Sequence, residues 1–212
     1  MNGQTNWLPF SDYALHAAVC AVVACAWLAF EVVLFIFLRR RTAQAGQSRR
    51  DTRSRDTRSR VGLALQSLSY VVVLAFMRER FTHIASLGEV ADVALAFVTA
   101  ALAFGSVWLV RSALGTLGAQ WSLTARVLAD HKLITAGVYR RVRHPIYTGM
   151  LGMLLATGLA ASHWAGLLAG LIVFWAGTLI RVRSEERLLR AAFGAQYDDY
   201  ARRVPAVIPG IY

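Results

Sequence analysis

The chain has 212 residues, of which 57% are hydrophobic, and a formal net charge of +11. A soluble domain of this size rarely combines a positive mean hydropathy with so large a basic excess. A multi-pass membrane protein accommodates both, because its apolar residues face lipid and its basic residues gather in cytoplasmic loops. Nucleic-acid binding is disfavoured, since the basic residues lie between apolar runs of about 20 residues rather than on one soluble face.

Five apolar segments predict membrane-spanning helices, at residues 14–38, 61–77, 91–110, 146–161 and 164–180. The last two are separated by the short turn "ASHW", which predicts a helical hairpin. After them, apolar residues recur at three- and four-residue spacing over 188–200, as in an amphipathic helix on a surface, until Pro205 ends the pattern. The predicted fold class is all-α, with about five transmembrane helices and a C-terminal amphipathic helix.

The basic residues predict the orientation of these helices. Nine arginines occupy residues 39–60, six basic residues lie in 111–143 and six in 181–203, whereas the remaining loop has only Arg78 and Arg80. An outside N-terminus and a cytoplasmic C-terminus place the three rich segments in the cytoplasm. The first thirteen residues contain no Lys or Arg, so we expect the first span to be retained rather than cleaved as a signal peptide.

The loop at 39–60 contains an uninterrupted tandem repeat of "DTRSR", at 51–55 and 56–60. A five-residue unit is too short for a structural repeat, and the segment has almost no apolar residue to bury. We therefore predict a disordered loop near the anionic lipid surface, with a specific binding role as the alternative.

The stretch "YRRVRHPIYTGM", residues 139–150, carries four basic side chains at the start of the fourth span. Pro145 suits the first turn of a helix. Arg143 and His144 precede that helix terminus, so the site favours an anion, either a lipid phosphate or a ligand carboxylate. Arg140 and Arg141, together with Arg143, are also expected to fix the cytoplasmic start of the span.

Two further stretches place polar groups near this helix start. "HKLITAGVYRR" brings His131 and Tyr139 to the same membrane face. In "RVRSEERLL", Arg181 and Glu185 are four residues apart and share a helix face, either as an ordinary ion pair or as part of a site. The hairpin returns this face to the side of Pro145. Glu31, alone in the first span, either snorkels, pairs with another helix or has a functional role.

These residues carry a family resemblance. "HKLITAGVYRRVRHPIYTG", followed by "RVRSEERLLRAAFGAQYDDYARRVPAVIPGI", resembles the C-terminal half of isoprenylcysteine carboxyl methyltransferases and of the wider integral membrane methyltransferases, which include phospholipid N-methyltransferases. The resemblance covers roughly residues 118–212. It implies an N-terminal transmembrane region of three spans, residues 1–110, and a methyltransferase region, residues 111–212. It also implies a cytoplasm-facing pocket for S-adenosylmethionine, whose product is S-adenosylhomocysteine.

Carried over residue by residue, the resemblance implies cofactor contacts from His131, Lys132, Leu133, Ile134, Tyr139, His144, Pro145, Ile146, Tyr147 and Glu185. It implies a substrate contact from Arg181, which with Glu185 would form the catalytic pair. Thr124 stands where the family often has glutamine, so that contact departs from the pattern.

The residue types suit this cofactor. Glu185 can pair with its ammonium group, while His144 and the helix terminus at Pro145 can take its carboxylate. A carboxylate acceptor is ionised at neutral pH and needs positioning, for which Arg181 is the candidate, but no base. An amine or thiol acceptor would need a base, with Glu186 or a histidine as candidates.

The predicted function is methylation of a carboxylate on a lipophilic acceptor that enters from the bilayer. The alternatives are a phospholipid N-methyltransferase or small-thiol or amine methyltransferase of the same superfamily, an NADPH-dependent membrane reductase, and a non-catalytic lipid-binding protein. Arginine outnumbers lysine 22 to 1, which suggests a bacterial inner-membrane protein. Prenylated cysteine proteins are not expected there. The two cysteines lie within the first span, and no metal site is predicted.

Overall fold

The computed structural model describes residues 9–48, 52–55, 58–78, 89–118, 121, 126–128 and 132–208. In chain order these form α1 (Pro9–Ser48), β1 (Thr52–Arg55), α2 (Arg58–Ala75), α3 (Glu89–Leu117), β2 (Arg126–Leu128), a 3-10 helix (Gly137–Arg140), α4 (Pro145–Ala161), α5 (Trp164–Phe193) and α6 (Ala195–Arg203). All five predicted spans are helical, and the all-α membrane fold is confirmed. The one departure is a short antiparallel ribbon that β1 forms with β2.

The helices differ in how well they suit a membrane crossing. Among the described residues, three are long and apolar enough to cross a bilayer: Ala14–Arg39, Val90–Leu117 and Trp164–Phe193. The helix Pro145–Ala161 is apolar but shorter. α2 begins with Arg58 and Arg60 and is 18 residues long. The chain is therefore a multi-pass membrane protein in which α2 and α4 are the short helices.

Small residues bring the helices into close contact. α2 packs along α5, α3 packs along α4, and α1 lies against α3 and α4. A Cβ atom on Gly62 would lie 2.7 Å from the carbonyl oxygen of Gly177, and one on Gly149 would lie 2.5 Å from Cγ2 of Val110. Such close approach is common where membrane helices pair without a hydrophobic driving force between them.

The division of the chain into two functional regions at residues 110 and 111 stays a prediction, and the point of division falls within a helix. α3 runs through this point without a break. Both major helix pairs, α2 with α5 and α3 with α4, join a helix of the first region to one of the second. The two regions form one bundle because both of these helix pairs cross the division, in addition to the packing of α1 on α3 and of α4 on α5.

The predicted disorder of residues 39–60 is wrong for the parts that the structure describes. α1 continues to Ser48, β1 occupies Thr52–Arg55, and α2 begins at Arg58. The first copy of the tandem repeat thus contributes a strand and the second contributes the first turn of a helix. Pairing with β2 explains the first conformation, and burial of Ser59 in the helix bundle explains the second.

The predicted amphipathic helix is also divided differently. α5 runs from the membrane without interruption to Phe193, and the chain then turns at Gly194, whose φ of 52° favours glycine. α6 follows as a separate helix. Beyond it, the backbone N–H of Arg143 donates to the carbonyl of Pro205 at 2.9 Å, and that of His144 donates to the carbonyl of Ala206 at 2.8 Å. The C-terminal tail, residues 204–208, therefore returns to the start of α4.

The two ends of the bundle differ in chemistry. At one end, α4 and α5 form the predicted hairpin, and Arg78 donates from its backbone N–H to the carbonyl of Ala161 at 2.9 Å and from Nη2 to that of Leu159 at 2.7 Å. The other end holds the C-terminal part of α1 and the starts of α2 and α4. The described parts of the arginine-rich segments lie at this second end, together with the candidate site.

Candidate active site

The segment that precedes α4 packs against α6. Gly137, with φ of 62°, begins the 3-10 helix, and Tyr139 is buried within it. The hydroxyl of Tyr200 donates to the carbonyl oxygen of Tyr139 at 2.6 Å. Leu133 packs against an apolar cluster on α6 that includes Tyr197 and Tyr200. Burial raises the pKa of the Tyr200 hydroxyl to about 12, so it is a neutral donor at physiological pH. Two predicted cofactor residues, Leu133 and Tyr139, thus share an apolar wall with α6.

The start of α4 has the predicted geometry, with Pro145 at the first helical position. The backbone N–H groups of Tyr147 and Thr148 donate to the carbonyl of His144 at 3.0 and 3.2 Å. The ring of Tyr147 stacks on that of His144, with centroids 5.5 Å apart. The helix start therefore holds the imidazole and the phenol side by side.

Glu185 joins these two side chains to α5. The hydroxyl of Tyr147 donates to Oε1 of Glu185, and Nδ1 of His144 lies 3.3 Å from Oε2. Nε of Arg181 donates to the Tyr147 hydroxyl at 2.8 Å, and its Nη2 lies 3.6 Å from Oε1 of Glu185. We call these four residues, His144, Tyr147, Arg181 and Glu185, the Glu185 cluster. The side chain of Glu185 is 25% exposed, so its carboxylate can meet a ligand.

Glu186, the neighbouring acid, is engaged by other cations. Its Oε1 lies 2.9 Å from Nη2 of Arg143 and 3.5 Å from Nε2 of His144, and its Oε2 lies 3.2 Å from Nη2 of Arg190. Only 10% of its side chain is exposed. Glu186 is therefore held in a structural ion-pair network.

His144 lies between the two carboxylates. Burial lowers its pKa, but hydrogen bonds and charge attraction from Glu185 and Glu186 outweigh that effect, so the pKa is raised above its usual value. The expected role of His144 as an anion ligand is not favoured, because its ring nitrogens already face two carboxylates. Arg143 and His144, which directly precede the helix, are both paired with acids. The partly exposed carboxylate of Glu185 is better able to meet a ligand than either of them.

The structure does not bring every predicted residue into this cluster. His131 and Thr124 lie outside the described residues. Lys132 is exposed and Ile134 is half-buried, both in the extended segment before the 3-10 helix. Ile146 is half-buried and packs on the apolar cluster that includes Leu114 of α3. Its side chain is therefore part of the bundle core.

Three features of the site were not predicted. The carbonyl oxygen of Ser59, on α2, accepts a hydrogen bond from Nη1 of Arg181 at 3.1 Å. Ser184 is 2% exposed, and its hydroxyl has no hydrogen-bond partner within the described part of the chain. Arg143 ties Glu186 to the tail. A backbone carbonyl leaves no signal in a sequence, whereas the adjacent glutamates were a signal for Glu186.

Comparison with known proteins places this site in a family context. Residues 94–196 match the phospholipid methyltransferase family. Protein-S-isoprenylcysteine O-methyltransferase B of Arabidopsis thaliana is 39% identical over 79 residues, or 37% of this chain and 40% of that protein. The resemblance to membrane methyltransferases is confirmed. Two further relatives are the protein-S-isoprenylcysteine O-methyltransferase of Schizosaccharomyces pombe, 36% identical over 80 residues, and methanethiol S-methyltransferase 2 of Bradyrhizobium diazoefficiens, 43% identical over 75 residues.

The methyltransferase match covers only part of each chain. The alignment with the fission-yeast protein covers 38% of this chain and 34% of that one, and the alignment with the Bradyrhizobium protein covers 35% and 28%. The chain therefore spans less than half the length of these methyltransferases. The family match begins within α3 and ends within α6, so it includes the Glu185 cluster and leaves out α1 and α2.

Proposed function

We propose that this chain is an S-adenosylmethionine-dependent integral membrane methyltransferase of the isoprenylcysteine carboxyl methyltransferase type. The observation that carries the proposal is the Glu185 cluster, which joins an accessible carboxylate to a buried arginine at one end of a membrane bundle. The methyltransferase relatives support the same activity. A reductase or a purely lipid-binding protein has no comparable support.

The residues present fit the cofactor. Glu185 offers a partly exposed carboxylate for an ammonium group, and the wall formed by Leu133, Tyr139 and α6 offers apolar surface for a nucleoside. Lys132, exposed beside Leu133, replaces His144 as the proposed partner of the cofactor carboxylate.

When bound, S-adenosylmethionine supplies a methyl group on a sulfonium: the acceptor forms a bond to the methyl carbon while the carbon–sulfur bond breaks and its electron pair stays on sulfur. The protein must align the acceptor for this displacement. Arg181 can hold an anionic acceptor, and Tyr147 and Glu185 fix its guanidinium.

The ion pairs of Glu186 favour a carboxylate acceptor over an amine or thiol. A carboxylate that faces Arg143, His144 and Arg190 is a weak proton acceptor, so Glu186 is a poor general base. Methylation of a carboxylate needs no base. A thiol is the second candidate, because one relative is named a methanethiol S-methyltransferase and thiols ionise in part near neutral pH.

The proposed orientation places the site in the cytoplasm. Ser59 and His144 lie at the arginine-rich end of the bundle, which the positive-inside rule assigns to the cytoplasmic face. We extend this to a bacterial inner membrane on the composition of the chain. Reporter fusions after residue 212 test the orientation: green fluorescent protein should fluoresce there, and alkaline phosphatase should be inactive.

Cofactor binding is tested with the detergent-purified protein. S-adenosylhomocysteine and NADPH are each titrated into wild type, Glu185→Gln and Glu31→Gln by isothermal calorimetry. Glu31 is an exposed acid of α1 and serves as the matched control. We expect wild type and the control to bind S-adenosylhomocysteine alike, and Glu185→Gln to bind it about 10- to 100-fold more weakly. Binding of NADPH alone, or of neither compound, contradicts the proposal.

The acceptor class is tested by methyl transfer from labelled S-adenosylmethionine. N-acetyl-S-farnesylcysteine, 1-decanethiol and phosphatidylethanolamine vesicles represent a lipophilic carboxylate, a thiol and an amine. We expect the carboxylate to be the best acceptor. If only the thiol or only the amine is labelled, the methyltransferase activity is supported and the proposal of a carboxylate acceptor is rejected.

A further inference from the structure

Arg181 lies in a slot between α4 and α2. Its side chain is nearly inaccessible, with 5% of the residue exposed. The guanidinium carbon lies 5.1 Å from the centroid of the Tyr147 ring, and Nε donates to the hydroxyl of that ring. On the opposite side, Nη1 donates to the carbonyl oxygen of Ser59. The direction of this guanidinium is thus fixed by contacts from both helices.

Gly62 makes room for the stem of Arg181. A Cβ atom on Gly62 would lie 2.5 Å from Cγ of Arg181, closer than real carbon atoms approach. The same atom would lie 2.7 Å from the carbonyl oxygen of Gly177 on α5. A larger residue at position 62 must therefore displace either the arginine or the whole helix.

A second buried polar residue, Ser184, follows Arg181 on α5. Ser184 is three residues after Arg181 and so occupies a neighbouring position on α5. Its hydroxyl is buried and has no partner among the described residues. A buried hydroxyl is normally paired, so a ligand atom is the candidate for its missing partner.

We propose that the acceptor's anionic group binds at the α2–α5 seam, held by Arg181 and Ser184, and that Ser59 and Gly62 of α2 are positioning residues for Arg181. This inference rests on the proposed methyltransferase function and deepens it. α2 lies outside residues 94–196, so the family match does not assign it a part in the site. Acceptor choice then depends on a helix from the part of the chain outside that match.

Ser184→Ala gives the cleanest test of the acceptor contact. Removing an unpaired buried hydroxyl does not weaken the fold, because no hydrogen bond is lost. With N-acetyl-S-farnesylcysteine as acceptor, we expect KM to rise about tenfold, while S-adenosylhomocysteine affinity and Tm stay at wild-type values. An unchanged acceptor KM overturns the contact.

Gly62→Ala tests whether Gly62 positions Arg181, with Gly170→Ala as the matched control. A Cβ atom on Gly170 also enters the α2–α5 seam, 3.1 Å from the carbonyl oxygen of Ser69, but away from Arg181. We expect Gly62→Ala to lower acceptor kcat/KM about 10- to 100-fold with S-adenosylhomocysteine affinity retained. Gly170→Ala should lower Tm with an acceptor KM within about twofold of wild type. Equal losses of kcat/KM in the two variants overturn the positioning role.

Thermal unfolding separates failure of this inference from failure of the proposed function. If wild type methylates none of the acceptors, the methyltransferase proposal and its Ser184 contact fail together. The contact between Gly62 and the side chain of Arg181 can still be tested by measuring Tm for Gly62→Ala, Arg181→Ala and the double variant. Because the shortened side chain has no Cγ to clash, the Tm loss of the pair should be smaller than the sum of the single losses. Additive losses of Tm would overturn the claim that Gly62 makes room for the side chain of Arg181.

Discussion

Nη2 of Arg143 lies 2.9 Å from Oε1 of Glu186, with 7% and 10% of the two side chains exposed. Nη1 of the same arginine donates to the carbonyl oxygens of Ala201, at 2.6 Å, and of Val204. Arg143 thus connects three elements: the start of α4, the face of α5 that carries Glu186, and the C-terminal end of α6. The expectation that it acts with Arg140 and Arg141 as a cytoplasmic charge accounts for none of these contacts.

Arg143→Ala should destabilise the protein. The change removes the nearest cation of the buried Glu186 and the side-chain hydrogen bonds to the carbonyls of Ala201 and Val204. Because His144 and Arg190 still face the carboxylate, we expect a loss of about 1–3 kcal/mol. Thermal unfolding in detergent measures the loss. Arg140→Ala is the control, since Arg140 is exposed and its removal should change stability by no more than about 0.5 kcal/mol. Equal Tm values for the two variants would show that Arg143 is only a surface charge.

His144 should make stability depend on pH. Its pKa is raised in the folded protein, so the charged imidazole contributes stability that is fully present below about pH 6.5, the unfolded value. That contribution is lost as the pH rises through the folded pKa. The Tm of wild type should therefore fall with increasing pH over this window, and that of His144→Gln should fall less. Parallel curves for the two proteins would contradict this assignment.

Tyr147→Phe should impair Arg181 more than the fold. The change removes the hydroxyl that accepts from Nε of Arg181 and donates to Glu185, leaving a buried donor unpaired at a cost of about 1–3 kcal/mol. Tyr70→Phe is the control, because the Tyr70 hydroxyl donates to the carbonyl of Met150 at 2.7 Å within the bundle. Both variants should lose Tm, but only Tyr147→Phe should raise the acceptor KM. A raised KM in both would point to a general packing effect.

Gly149→Ala should weaken the contact between α3 and α4. The added Cβ atom would lie 2.5 Å from Cγ2 of Val110 and 3.1 Å from the carbonyl oxygen of Ser106, and such overpacking costs about 1–3 kcal/mol. Gly105 has no atom within 4 Å of its added Cβ, so Gly105→Ala should not lower Tm. A lower Tm in both variants would indicate that the loss comes from replacing glycine in a helix and not from crowding between α3 and α4.

The sequence predicted the features that depend on neighbouring residues. The apolar runs indicated the helices, Pro145 marked the start of α4, and the four-residue spacing of Arg181 and Glu185 placed both on one face. The hairpin then brought that face to His144 and Tyr147. Each step uses a local pattern and a short connection, which is why the Glu185 cluster could be expected before its geometry was known.

The remaining features depend on contacts between distant segments. Ser59 is 122 residues from Arg181 and binds it through a backbone carbonyl, which any residue type would provide. The tail binds Arg143 through carbonyls as well. The two copies of "DTRSR" have the same local preferences yet form a strand and a helix, because different partners, β2 and α5, bind them. The sequence of a five-residue repeat does not show which distant segments will contact it.

The hydrogen bond from Arg181 to Ser59 limits how this protein can be recombined with others. A chimera that fuses residues 89–212 to foreign membrane helices would keep the matched family region and most of the Glu185 cluster. It would lose the carbonyl at one side of the arginine and the glycine that clears its stem. The half of the chain that matches the family is therefore not a transferable module, and α2 must accompany it in any transplant meant to preserve acceptor preference.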